Sequence, residues 1–293
     1  MPVRITVDIF SGRPNPTVEL SDKEAQEVIQ RLKPSEPLAH DEAERAATPI
    51  LGYRGLIIEQ TGAQTIKELP SRFRLTTGSL VGSGLAHRAA DPAFEEFFFS
   101  NKGPFKKVKE ATKLRTLIQA EVPRTTELRK KLLLPIPLFP FKILCACAPL
   151  YEPGWWNDSG QKQFNNNCYN YATNYRTDTF AQPGQAAGAM YTALTCAAVL
   201  PAAVADALED QPGANNKCPP EGHLVALVIA PNIDFHWFRK GRNGLWTHKP
   251  GGTAVTNVDN SGKLITDPRT ADRGMYTDFC TFMVVKHGHI KIT

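Results

Sequence analysis

Alternation of apolar and polar positions marks the start of the chain as β-structure. Residues 5–10 alternate into Ser11-Gly12-Arg13-Pro14-Asn15-Pro16, where a glycine and two prolines fix a bend, and a short strand over residues 17–20 follows. Ser21-Asp22-Lys23-Glu24 is a capping box that opens a helix to Leu32. Residues 33–49 are polar and rich in Pro, Ala and Glu, and read as a loop or a short irregular helix. Strands are expected at residues 55–59 and 72–81. Asp91-Pro92 then caps an apolar helix that runs to Phe99.

The pattern then changes. Residues 101–134 read as helix interrupted by Pro123, and Pro135, Pro137 and Pro140 punctuate an extended arm into a strand over residues 143–147. A helix opens near Cys168 and ends before the Gln182-Pro183-Gly184 turn. Residues 186–208 are Ala-rich and read as helix kinked at Pro201, with Met190, Leu194 and Ala197 as its core stripe. From Gly222 the period shortens to that of strands. Residues 222–229 are an apolar run and residues 234–239 a second strand. Gly241-Arg242-Asn243-Gly244 is a hairpin signal before residues 245–248, and a last strand spans residues 279–286. These elements predict an α+β protein in three parts: a small α+β domain over residues 1–100, a helical, Pro-rich connector over 101–142, and an α+β domain over 143–293 with its helices ahead of its antiparallel strands.

Composition narrows the class. With 293 residues, 42% apolar and 22% charged, the chain has enough material for buried cores. No apolar run reaches membrane-spanning length, and the first residues enter a strand pattern without a secretion leader, so a cytoplasmic location or leaderless export is expected. The net charge of +5 is mild, and its dense basic runs, 106–109 and 129–131, read as solvated helix faces. No aromatic residues interleave them, so a nucleic-acid partner is not expected. Six cysteines, at 145, 147, 168, 196, 218 and 280, include no Cys-x-x-Cys pair, and without a leader reduced thiols are the expectation.

Chemistry concentrates at Cys168, His223 and His236. Cys168 follows Asn165-Asn166-Asn167, which can cap a helix and place the thiol in its first turn, where the helix dipole favours a thiolate. His223 opens the apolar strand and His236 lies on the strand that follows. A thiolate, an imidazole to take its proton and a group to orient that imidazole form the minimal nucleophilic set. Asn167-Cys168-Tyr169-Asn170-Tyr171-Ala172 resembles the Cys signature of the CHAP amidases. Gly222-His223 opening an apolar strand resembles the Gly-His strand of that group and of the NlpC-type cell-wall endopeptidases. The resemblance covers residues 150–290. It implies a papain-like core, a Cys helix packed on an antiparallel sheet, with Cys168 as nucleophile, His223 as base and His236 as orienting residue. It further implies hydrolysis or transfer at an amide bond of a peptide or peptidoglycan-like substrate, with no cofactor. Cys168 lacks the preceding Asp common in the NlpC type, and the Glu-plus-Asn pair common in CHAP is not evident after His223.

Several alternatives stand beside this reading. The oxyanion would be met by the Cys168 amide and a side-chain donor, Asn166. His248 is the rival base, because one residue of register decides whether it shares a face with His236. Asp234, Asn257 and Asp259 are alternative orienting groups. A zinc site on Cys168, His223 and His236 has suitable ligand types but is not favoured over nucleophilic catalysis. The alternative function is a non-enzymatic binding or toxin-like module, in which the cysteines are structural and Trp155, Trp156, Trp237 and Trp246 build a recognition surface or pack hairpins.

Overall fold

The computed structural model describes residues 2–62, 66–132 and 143–293, and the expected Pro-rich arm lies outside them. Two compact units result. One comprises residues 2–9, 15–48 and 52–132; the other takes up Phe10–Pro14 and Pro49–Leu51 together with the C-terminal half. The helical stretch read from the sequence as a connector packs within the first unit.

The first unit is built on seven strands in the order β2-β1-β4-β5-β6-β7-β3, all paired antiparallel: β1 (Val3–Asp8), β2 (Thr17–Leu20), β3 (Pro34–Pro37), β4 (Gly55–Gln60), β5 (Arg72–Thr76), β6 (Ser79–Gly82) and β7 (Leu85–Ala89). The single strand expected over 72–81 is a hairpin, because Thr77 and Gly78 both adopt positive φ and turn the chain between β5 and β6. Helix α1 (Asp22–Arg31) begins with the expected capping box, the Ser21 amide donating to Glu24 Oε2 at 2.9 Å. The segment read as a loop or a short irregular helix supplies β3 and helix α2 (His40–Ala47). Helix α3 (Phe94–Phe99) contributes Phe94, Phe98 and Phe99 to an aromatic cluster with Phe105. Helix α4 (Ala111–Lys131) continues through Pro123. Asp8 is buried between Arg54 and Arg74; burial alone would raise its pKa, but the two guanidiniums hold the carboxyl well below the usual carboxylate range.

The second unit carries a five-stranded sheet in the order β11-β10-β9-β12-β8: β8 (Glu209–Asp210), β9 (His223–Ala230), β10 (Asp234–Lys240), β11 (Trp246–His248) and β12 (Asp278–Val285). Short helices α5 (Pro153–Trp156), α6 (Gln161–Asn165) and α7 (Cys168–Thr173) precede α8 (Cys196–Ala205). Gly222 allows β9 to start: its φ is +71°, and a Cβ there would lie 2.2 Å from the Val285 carbonyl oxygen, beside the Val285–His223 pair of the ladder.

Alternation along β9 and β10 divides the core. Val225, Leu227, Ile229, Phe235 and Trp237 face one side, packing with Cys168, Tyr169 and Ala172 of α7 and with Val199 and Ala203 of α8. Leu224, Ala226, Val228 and Phe238 face the other, with Trp246, Ile265, Tyr276 and Phe282. Two expectations fail here. Residues 143–147 form a turn, since the Leu144 and Cys145 amides both donate to the Arg242 carbonyl and the Ala148 amide to that of Cys145. The Ala-rich helix is confined to residues 196–205; of the expected stripe Met190 is 47% exposed and Ala197 is exposed, Leu194 packs on the core from outside the helix, and the helix itself buries Val199, Ala202 and Ala203. Trp156, Trp237 and Trp246 are core residues, whereas Trp155 is exposed with the Arg176 guanidinium over its ring.

Candidate functional site

The asparagines around Cys168 form a buried polar scaffold. Asn167 caps α7: its Oδ1 accepts from the Tyr169 and Asn170 amides at 3.0 and 3.1 Å, and its Nδ2 donates to the Gly12 and Ala181 carbonyls at 2.7 Å each. Asn170 returns the bond to the Asn167 amide and also accepts from the Ala181 amide. Asn166 donates through Nδ2 to the Lys162 carbonyl and to Asp178 Oδ1, while its own Oδ1 accepts from the Asp178 amide. The side chain expected to donate to an oxyanion is thus committed within its own loop. At the other end of α7, Arg239 lies 3.9 Å from the Tyr171 ring centre and donates to the Tyr171 carbonyl and Asn174 Oδ1, a cation at the negative end of the helix.

Cys168 opens α7 and has no solvent exposure. Burial pushes its thiol pKa well above the ordinary value, and the carboxyl of Asp234 adds to the rise. His223 lies on the same side of the sheet, but its Nε2 donates to the Ala172 carbonyl at 2.7 Å, at the far end of α7. That bond fixes the tautomer and leaves Nδ1 as the lone-pair nitrogen, which is buried without a hydrogen-bond partner among the described residues. Burial lowers the pKa of His223 to about 3. At neutral pH it is an uncharged ring.

His236 points to the opposite side of the sheet. It pairs with Val228 across β9 and β10, and its Nε2 lies 2.9 Å from Nδ1 of His248, whose Nε2 donates to the Val258 carbonyl at 3.0 Å. The register Phe238↔His248 places His248 on the face of His236, away from Cys168. The four side chains read from the sequence therefore separate into two pairs, Cys168 and His223 under α7, and His236 and His248 behind the sheet, so that His236 does not orient His223. The cause is parity: residues 223 and 236 stand opposite positions of different orientation on paired strands.

Asp234, weighed as an orienting group, has a structural role that sequence reasoning missed. It is buried and accepts from the amides of Ser11, Gly12 and Arg13 at 2.6, 3.2 and 3.1 Å and from the Tyr276 hydroxyl at 2.6 Å. Asn257 and Asp259 serve elsewhere: Asn257 is buried beside the β11 edge, and Asp259 accepts from the Ser261 and Lys263 amides of its own turn and from the Asp272 amide of a later segment. Four of the six cysteines pair, Cys145 with Cys218 and Cys196 with Cys280, leaving Cys147 exposed and Cys168 buried as free thiols. The expectation of six reduced thiols is thereby corrected. Among the described residues no group of three or more His, Cys, Asp or Glu side chains could hold a metal ion, and no helix is long and apolar enough to cross a membrane.

Comparison with known proteins bears on the same chain. It is 45% identical over 142 residues to insoluble matrix shell protein 1 of Ruditapes philippinarum, a span covering 91% of that protein and 47% of this chain. The chain belongs to the insoluble matrix shell protein 1 family. Roughly half of this member lies outside the matched span. No protein-family model matches it, and no solved structure does.

Proposed function

We propose that the chain acts as a non-catalytic structural module of an insoluble extracellular matrix, its C-terminal unit stapled by disulfides. The observation that carries this reading is burial: Cys168 and His223 have no solvent exposure, so no substrate carbonyl reaches the thiol. The bond from His223 Nε2–H to the Ala172 carbonyl leaves Nδ1 as the basic nitrogen, and burial lowers the ring's pKa to about 3, which weakens it as a base. The thiol itself is sealed and shifted away from ionisation, opposite to the tuning a nucleophile requires. Two disulfides suit an oxidising compartment. The relative's name, insoluble matrix shell protein, points the same way.

The rival reading, a thiol hydrolase acting on an amide bond of a cell-wall peptide, draws on the place of Cys168 at the start of α7 and of His223 on the same side of the sheet. Iodoacetamide labelling of the native protein at neutral pH separates the two. The structural reading expects prompt labelling of Cys147 and labelling of Cys168 only once the protein unfolds. Fast native labelling of Cys168 that slows in His223→Gln would overturn it.

A further inference from the structure

Near the C-terminus the chain folds back over the start of β9. Val285, the last residue of β12, pairs with His223, the first of β9, so Lys286 and His287 leave the ladder beside that histidine. The segment that follows is tied down on both sides. The His289 amide donates to the Lys286 carbonyl at 3.2 Å, the Gly288 amide to the Tyr175 hydroxyl at 3.1 Å, and the Lys291 amide to the Asp206 carbonyl at 3.0 Å. Ile290 packs on the core. His287 is exposed, and its ring centre lies 5.1 Å from that of the buried His223, with the two planes 30° apart.

Two features of this pair suit a metal ion. Histidines that bind metals commonly donate their second ring nitrogen to a carbonyl, which fixes the tautomer and holds the ring in place. His223 is arranged in that way: Nε2–H donates to the Ala172 carbonyl at 2.7 Å, and the buried Nδ1 keeps a lone pair that no described residue satisfies. A buried polar atom in that condition calls for a partner. The spacing agrees as well. Two imidazoles bound at about 2.0–2.1 Å to one tetrahedral ion hold their ring centres about 5 Å apart. We propose that His223 Nδ1 and a ring nitrogen of His287 bind one divalent ion of the zinc, copper or nickel class, with water in its remaining positions. Imidazole suits these ions, whereas calcium and magnesium prefer oxygen ligands. His223 is the fixed ligand, and His287, exposed to solvent, is the one that adjusts as the ion enters. Among the described residues no third His, Cys, Asp or Glu side chain completes the set, so the site stays open on the solvent side. The inference goes beyond the structural reading given above and does not depend on it.

The test strips the protein with a chelator, dialyses the chelator away and titrates zinc by calorimetry at about pH 7.5, where imidazole ligands are deprotonated. One zinc ion per chain is expected. In nitrogen NMR spectra the Nδ1 signal of His223 is expected to move as zinc is added, while Nε2 keeps its proton on the Ala172 bond. His287→Ala is expected to abolish the binding and keep the wild-type circular dichroism, since this side chain is exposed. His223→Gln retains a donor for the Ala172 carbonyl and is expected to lose zinc too. His236→Gln alters the other adjacent imidazole pair, His236 and His248, and is expected to leave binding unchanged. The inference is overturned if the wild type binds no zinc, if binding persists at wild-type strength in His287→Ala, or if the His223 Nδ1 signal stays still as zinc binds. Loss in His236→Gln with retention in His287→Ala would place the ion on the other pair and overturn it equally. The NMR arm uses the wild type, so it decides the matter even if His223→Gln fails to fold. None of these outcomes touches Cys168, so the labelling experiment and this one fail independently.

Discussion

Replacing His223 by Gln tests the central feature of the site, because the Gln amide can still donate to the Ala172 carbonyl while removing the titration. In the folded protein His223 is held neutral with a pKa of about 3, against an ordinary value of 6.5 in the unfolded chain. Below pH 6.5 the unfolded state therefore binds a proton that the folded state refuses, so stability falls as the pH drops through the window between 6.5 and about 3. Between about pH 7.5 and about pH 5 the span below 6.5 is about 1.5 units, at 1.36 kcal/mol each, or about 2 kcal/mol from this one ring. Urea unfolding of both proteins at the two pH values measures it. The wild type is expected to lose about 2 kcal/mol more than His223→Gln on acidification. Equal losses would refute the argument, and so would an NMR titration of His223 with a midpoint near neutrality. Such a midpoint is also what a working base would need.

Two further predictions concern the frame around the site. Tyr276→Phe removes the hydroxyl that donates to the buried Asp234 carboxyl, and is expected to cost about 1.5–3 kcal/mol in denaturant unfolding, the range for a bond to a charged group; a loss below a few tenths would show the contact to be energetically idle. The double variant Cys196→Ala, Cys280→Ala opens a loop of 84 residues, and chain entropy sets the expected loss at about 4–5 kcal/mol, read as a lower thermal midpoint relative to the wild type under non-reducing conditions. An unchanged midpoint would argue that the pair is not closed in solution.

Much of the local structure was legible in the sequence, and the reasons are local too. The capping box at Ser21, the β9–β10 turn after Ala230 and the Gly241–Gly244 hairpin depend on residues close in the chain, and each forms as read. Cys168 opens a helix because Asn167 caps it. What the sequence hid depends on partners far away or on parity. Residues 143–147 alternate like a strand but are captured by the Arg242 carbonyl, and the start of the Ala-rich run, residues 186–190, is exposed and buries no helical face. The sides of the sheet taken by His223 and His236 follow from pairing register, which spacing along one chain does not give. Asn166 looked like chemistry beside a cysteine, yet it and Asn170 satisfy the backbone of a crowded, irregular loop.

Asp234 also has a consequence for the order in which the molecule can be made. Its carboxyl is filled by three amides of Ser11, Gly12 and Arg13, more than 220 residues earlier in the chain. At a ribosomal pace of about 5–20 residues per second, those amides wait roughly 10–45 s for the acceptor to be synthesised. Through that interval the Ser11–Arg13 bend lacks the carboxylate that anchors it, and the Cys168 helix, whose cap donates to the Gly12 carbonyl, needs the same early segment. The second unit therefore closes only after both ends of the chain are available. A nascent chain halted before residue 234 is expected to present residues 10–14 to a protease that the finished protein resists.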